Sequence, residues 1–206
     1  IARPNPLDLG FAAIGEKTSG SFYLVNPSAV DMQIDSIASM FPSPPFTKLS
    51  GPDTAFVIPA NDSIRFEFEF APESEGASSG QMFFHALAPC LDSVLVDITA
   101  SSSRKPSIAF TKTDFTVLVC ADDTVSFASA TLRNTGGLPL SVTGLRFGGL
   151  HPGDFRVLSP PVPFSIPVGG SEVVQVAFYT KTLRSTRSGD LLVESNAENT
   201  PTLIIP

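Results

Sequence analysis

The side chains best equipped for chemistry are few and far apart. His85 and His151 are the only two histidines in 206 residues. Proton transfer or nucleophilic attack needs a base, a nucleophile and an orienting group that converge. His85 stands alone in a strand-like run over residues 81–87, and His151 alone in the turn over residues 149–154. No Gly-x-Ser-x-Gly elbow, His-Glu-x-x-His pair or phosphate-cradling glycine loop occurs. Asp122-Asp123 offers carboxylates to a cation. Calcium takes about six to eight oxygen ligands, more than two adjacent side chains supply, so this pair reads as a solvated turn. The expectation is a chain with no catalytic residues, no metal site and no cofactor.

Aromatic and polar surface chemistry is similarly sparse. Sugar-binding modules stack carbohydrate on exposed aromatic platforms, but there is no Trp, and Tyr23 and Tyr179 are the only tyrosines. Most of the 17 Phe fall at inward positions of alternating runs. Phe41 and Phe46, set among prolines, are expected to form an exposed apolar patch for contact with another protein. Asn61-Asp62-Ser63 matches a glycosylation sequon, yet its counterpart in the other half is Gly169-Gly170-Ser171, so a tight turn explains it.

Charge narrows the partners. The net charge is −7, from 20 acidic and 13 basic residues. The basic residues are dispersed, and their densest cluster, residues 184–187, reads as a solvated loop. Nucleic acid and anionic membrane surfaces are therefore disfavoured. No apolar run reaches the roughly 18 residues of a spanning helix. Protein partners remain.

The elements that position these residues follow from an internal repeat. Ile58-Pro59-Ala60-Asn61-Asp62-Ser63 returns 108 residues later as Ile166-Pro167-Val168-Gly169-Gly170-Ser171. At that spacing Phe66, Phe68 and Phe70 fall on Val174, Val176 and Phe178, and Asn26 falls on Asn134. Gly80 then corresponds to Gly189, one residue further along. Two homologous units are predicted, over residues 1–102 and 106–206, joined by the linker around residues 101–106. Within each unit the signal has period two. Ile64, Phe66, Phe68 and Phe70 alternate with Arg65, Glu67 and Glu69, and Val94, Val96 and Ile98 alternate with Leu95 and Asp97. Phe127, Ser129 and Thr131 share one side of a strand whose other side carries Ala128, Ala130 and Leu132. Turn residues interrupt these runs, and no helical period is sustained, which predicts an all-β fold. A sheet with one apolar face buries it on a second sheet, so each unit is expected to be a sandwich.

The second unit reads ATLRNTGGLPL over residues 130–140, GLHPGDFRV over 149–157, IPVGGS over 166–171 and VQVAF over 174–178. The first follows the same plan more loosely, from PLDLG at residues 6–10 to FAP at 70–72, with Asn26-Pro27-Ser28 in place of Asn134-Thr135-Gly136. This order resembles the ASH (ASPM–SPD-2–Hydin) and choice-of-anchor D domains. The resemblance implies two tandem immunoglobulin-like antiparallel sandwiches of the PapD and major-sperm-protein type. It further implies a non-catalytic structural or interaction role in a larger multi-domain bacterial protein, extracellular or at the cell surface. Two alternatives stand beside it: a periplasmic pilus-type chaperone, also two sandwiches in about 200 residues, and an accessory domain of a surface hydrolase. The turn at Asn134-Thr135-Gly136 is expected to use positive φ, and Phe155 to plug one end of its sandwich. The chain stops at Pro206 inside an apolar run, and the expectation is neighbouring domains on at least one side.

Cys90 and Cys120 are the only cysteines. Cys90 falls in the loop before the last strand of the first unit. Cys120 falls after the first strand of the second. In units stacked end to end, two strand lengths at about 3.3 Å per residue separate them by roughly 50 Å. A disulfide needs Cα atoms within about 7 Å. The two are expected not to pair with each other, each being placed to bridge to a neighbouring domain or chain. Non-reducing peptide mapping should therefore recover no Cys90–Cys120 peptide from a single chain; recovery of one contradicts the end-to-end arrangement.

Overall fold

A computed structural model describes residues 1–41, 45–88, 92–112, 124–180 and 187–206. The chain divides into two compact units, Ile1–Arg104 and Lys105–Pro206. Both are all-β sandwiches, and the single helical element among the described residues is a 3-10 turn, Pro152–Asp154.

The first unit contains β1 (Ala2–Arg3), β2 (Leu7–Ala13), β3 (Thr18–Val25), β4 (Met32–Met40), β5 (Phe46–Ser50), β6 (Phe56–Ile58), β7 (Ser63–Phe70), β8 (Gly76–Ala88) and β9 (Asp92–Ser103). They form one sheet in the order β1-β3-β7-β5 and a second in the order β2-β9-β8-β4-β6. The second unit contains β10 (Ile108–Lys112), β11 (Thr124–Asn134), β12 (Leu140–Gly148), β13 (Phe155–Ser159), β14 (Phe164–Ile166), β15 (Ser171–Thr180), β16 (Asp190–Ser195) and β17 (Thr202–Ile205). Its sheets run β10-β11-β15-β13 and β14-β12-β16-β17. The described pairings are antiparallel except β2 with β9, which is parallel.

The period-two runs become the walls of the two cores. In β7, Phe66, Phe68 and Phe70 are fully buried, while Arg65 on the opposite face is exposed. Phe22 stacks on Phe66 at 5.2 Å, and Phe84 of the facing sheet meets Phe66 edge-on at 5.0 Å. The second unit fills the same space with aliphatic side chains: Leu132, Leu140, Val142, Val174 and Val193 are all fully buried. Full burial of each such side chain stabilises by about 1.5–3 kcal/mol, whether the core is aromatic or branched. The bulges repeat too. β5 slips against β7 between Lys48 and Ser50, and β13 slips against β15 between Val157 and Ser159.

One polar contact recurs atom for atom. Asn26 is buried just past β3; its Nδ2 donates to the carbonyls of Val30 (2.8 Å) and Ile58 (3.0 Å), and its Oδ1 accepts from the Ser28 amide (3.0 Å). Asn134, at the end of β11, donates to Leu138 (2.8 Å) and Ile166 (3.1 Å) and accepts from the Gly136 amide (3.0 Å). Ile58 and Ile166 each end a strand of the sheet opposite the one that the asparagine terminates. The backbone amides of the two asparagines also bond to Asp62 and Gly170 in matching turns. The positive φ expected at Asn134-Thr135-Gly136 is not found at Gly136; it lies at Asn61 (57°) and its counterpart Gly169 (71°). Gly136 is required for a different reason: a Cβ there would collide with the backbone of Lys105, Pro106 and Ser107.

Between the units no residue is left unanchored. Ser102 Oγ donates to the carbonyl of Ser74 (2.7 Å), and the Arg104 amide and guanidinium both reach the Glu75 carboxylate (3.1 and 2.9 Å). That guanidinium holds the Glu75 carboxyl below the usual carboxylate range. In the second unit Lys105 pairs with Glu198 (3.4 Å), Pro106 accepts from the Glu198 amide (2.9 Å), and Asn199 brackets both backbone groups of Ile108 (2.9 and 2.8 Å).

Truncating the buried asparagine removes its bonds to the Leu138 and Ile166 carbonyls and leaves the buried Gly136 amide without its acceptor. Asn134→Ala is expected to destabilise the second unit by about 3 kcal/mol, read from urea dependence of hydrogen exchange in peptides from residues 124–180. A loss below about 1 kcal/mol would refute the clamp.

Candidate functional site

The two histidines serve as structural ties. His85 lies on β8, and its Nδ1 sits 2.8 Å from Asp35 Oδ1 across the β4–β8 pairing. Ser36 Oγ also approaches that carboxylate, at 3.4 Å. The carboxylate thus stands between the imidazole and the hydroxyl, the reverse of the order in which a histidine would activate a serine. The His85 hydrogen bond holds the Asp35 carboxyl below its ordinary range. His151 precedes the 3-10 turn; its amide donates to the Ser188 carbonyl (3.0 Å), and its Nδ1 accepts from the Ser188 amide (3.4 Å). His85 belongs to the first unit and His151 to the second.

Asn61 and Asp62 form the tight turn that the repeat implied, with the Asn61 amide on the Ser28 carbonyl (3.0 Å) and the Asp62 amide on Pro59 (3.1 Å). Cys90, Cys120 and Asp122-Asp123 lie outside the described residues. Among the described residues no group of three His, Cys, Asp or Glu side chains is placed to hold a metal ion. No described helix is long and apolar enough to cross a membrane.

The exposed patch expected at Phe41 and Phe46 is not formed. Pairing of Phe46 with Phe70 sets both rings on the inner face, 5.3 Å apart, and Phe46 is buried in the core. Phe41 packs on Phe68 at 5.6 Å and on Phe46 at 6.1 Å, in a slot that exists because residue 80 is glycine: a Cβ there would strike the Phe41 ring. Phe155 packs between Phe147 (5.3 Å) and Phe178 (5.1 Å), and Gly189 makes room for its ring in the same way.

The exposed apolar surface lies elsewhere, on the outer face of β10-β11-β15-β13. Phe127 is 67% exposed, the most exposed phenylalanine among the described residues. Register places it opposite Ala177, which in turn is opposite Arg156; Val125 faces Tyr179, and Thr131 faces Val173. Val125, Val173 and Tyr179 are all exposed, as is Leu158 at the β13 bulge. Phe127, Ser129, Leu158 and Gln175 line a groove of about 380 Å³. The Arg156 guanidinium lies over the Tyr179 ring, 5.6 Å from its centroid. Arg133 faces Ser171 and Ala109 at the far end of the same face. No Asp or Glu occupies an outward register position of this sheet. Neither arginine pairs with a carboxylate among the described residues.

The homologous face of the first unit is built differently. Lys17 stands at the position of Val125, Ser19 at that of Phe127, Arg65 at that of Val173, Glu67 at that of Gln175 and Glu69 at that of Ala177. Lys17 bonds Glu69 at 2.8 Å and Arg65 bonds Glu67 at 3.2 Å, so four of the charges on that face pair with one another. The alternation of β11 had already set Phe127 among Ser129 and Thr131. Comparing that row with Lys17, Ser19 and Ser21 is the sequence signal that exposes the patch.

No family model matches the chain, and no curated protein does. Solved structures similar to it include a protein of unknown function from Porphyromonas gingivalis W83, at 15% identity and a TM-score of 0.43, covering all of this chain and 96% of its own. The ASH/PapD-like domain 7 of human CEP192 covers 50% of this chain and 84% of its own, at 13% identity and a TM-score of 0.41. The E. coli chaperone DraB covers 99% of this chain and 96% of its own, at 9% identity and a TM-score of 0.37. The likeness is one of β-sandwich architecture alone.

Asp35 supplies a pH test of the first histidine tie. Its folded-state carboxyl is depressed, so its contribution to stability is present above the unfolded value of about 3.9 and is lost as pH falls through the folded value. NMR titration of the Asp35 carboxyl should give a midpoint below the ordinary range, moving up in His85→Ala. An unmoved midpoint rules out the pairing as the cause.

Proposed function

We propose that residues 1–206 are a tandem pair of ASH-type sandwiches, residues 1–102 and 106–206, that serve a larger surface or secreted bacterial protein as a non-catalytic structural and protein-interaction segment. The observation that carries this reading is the divergence of one face between two otherwise matching units. Fold requirements are met equally by both: the asparagine clamp, the bulge and the turn recur. The Phe127 face meets no fold requirement, because its counterpart manages with paired charges. An exposed apolar row costs solubility and is normally kept small unless it binds something. The histidines support the same reading, since each is engaged in tying backbone or side chain within its own unit.

In-frame deletion of residues 1–206 from the parent polypeptide in its native host tests this. Expected is loss of co-purifying proteins from the surface or secreted fraction, with any catalytic turnover of the parent unchanged. Loss of turnover with the co-purifying proteins retained would overturn the proposal.

A further inference from the structure

We infer that the outer face of β10-β11-β15-β13 docks a polypeptide surface that presents carboxylates beside an apolar side chain, a conclusion that rests on the interaction-module reading and specifies its partner. Charge carries the argument. The chain holds 20 acidic residues against 13 basic ones, yet among the described residues the outward strand positions of this face hold two arginines and no carboxylate. On the matching face of the first unit two of the cations have an anion beside them, Lys17 with Glu69 and Arg65 with Glu67, while Arg3 lies beside Tyr23. The second unit replaces both ion pairs, placing Val125, Val173, Gln175 and Ala177 at their positions, and carries arginines instead at Arg133 and Arg156, where the first unit has Val25 and Thr47. A face with its internal anions removed is complementary to anions supplied from outside.

The geometry says how such a partner is held. The Arg156 guanidinium lies over the Tyr179 ring, 5.6 Å from its centroid, and its N–H donors can take a carboxylate in a bidentate geometry that lysine does not provide. Phe127 stands next to it across β15, separated only by the small Ala177. The groove bounded by Phe127, Ser129, Leu158 and Gln175 has room for one apolar side chain. An aromatic and an arginine side by side over a small residue is the composition that dominates binding energy in protein interfaces. Arg133 anchors a second carboxylate at the far end of the same row, past Ser129 and Thr131.

The test uses the whole purified chain and a displayed library of random twelve-residue peptides as the probe. Expected are enriched peptides that combine Asp or Glu with an aliphatic or aromatic residue. Their amide shift perturbations should centre on Phe127, Ser129, Leu158 and Gln175, and their binding should weaken with salt. Phe127→Ser, which installs the residue of the other unit at an exposed position, and Arg156→Glu should each weaken binding by about tenfold without moving the melting temperature. Replacing the peptide carboxylates with lysine should restore binding to Arg156→Glu. Acidic peptides that bind elsewhere and ignore both variants overturn the docking face while leaving the interaction reading intact. Neutral or basic peptides enriched on this face overturn the partner chemistry. Sedimentation of the chain alone covers the remaining occupant: self-association abolished by Phe127→Ser makes the partner a second copy and overturns the inference. An empty selection overturns it too; the co-purification experiment then judges the interaction reading separately.

Discussion

Two sheets that share no ladder must still be held at one spacing and one offset, and in each unit a buried asparagine amide does this. Side-chain packing is non-directional and tolerates sliding; hydrogen bonds with fixed donors and acceptors do not. Asn26 and Asn134 close one strand of the first sheet and reach the last carbonyl of an edge strand in the second. Each amide joins a turn carbonyl, a turn amide and the end of an edge strand at one buried point, so its loss would leave a buried polar group unpaired. Everything downstream takes its position from that junction, including the turn at Asn61 or Gly169 and the strand that follows it.

With the frame fixed this way, the cores are free to differ. Phe66 and Phe68 become Val174 and Val176 without a change of strand order or bulge. Cores tolerate such exchanges when total volume and pattern are kept. The outer faces are freer still, and there the two units part company: one row carries two ion pairs, the other is an apolar row flanked by arginines that have no carboxylate partner among the described residues. The two units thus share a frame and differ in one face, and the contrast is internal to a single chain.

Much of the frame was legible because it rests on period and repetition. Ile64, Phe66, Phe68 and Phe70 announce a half-buried strand, and the 108-residue recurrence sets Asn26 against Asn134. What stayed hidden depends on contacts distant in sequence. Phe41 and Phe46, among prolines, look like a surface loop until Gly80, some forty residues away, is seen to open a slot for one ring and Phe70 to receive the other. Gly136 looks like a turn glycine, but its missing side chain makes room for the backbone of residues 105–107. The parallel pairing of β2 with β9 has no periodic signature, since alternation reads the same in either direction. The alternation sets Phe127 on one side with Ser129 and Thr131; only the comparison with Ser19 distinguishes a stray apolar side chain from a built row.

The anchoring around Arg104 and Lys105 has a practical corollary for dissecting the chain. Severing the peptide bond between those two residues leaves the Glu75 contacts with one fragment and the Glu198 and Asn199 contacts with the other. Shifting the cut to follow Ser101 strips the first fragment of Ser102, whose hydroxyl satisfies the Ser74 carbonyl. Shifting it to follow Ile108 takes from the second fragment the first residue of its edge strand and the backbone wall against which Gly136 packs. Expression boundaries for either sandwich on its own are thus set to a single residue by hydrogen bonding, where a composition-based linker of serines would have suggested several equivalent choices.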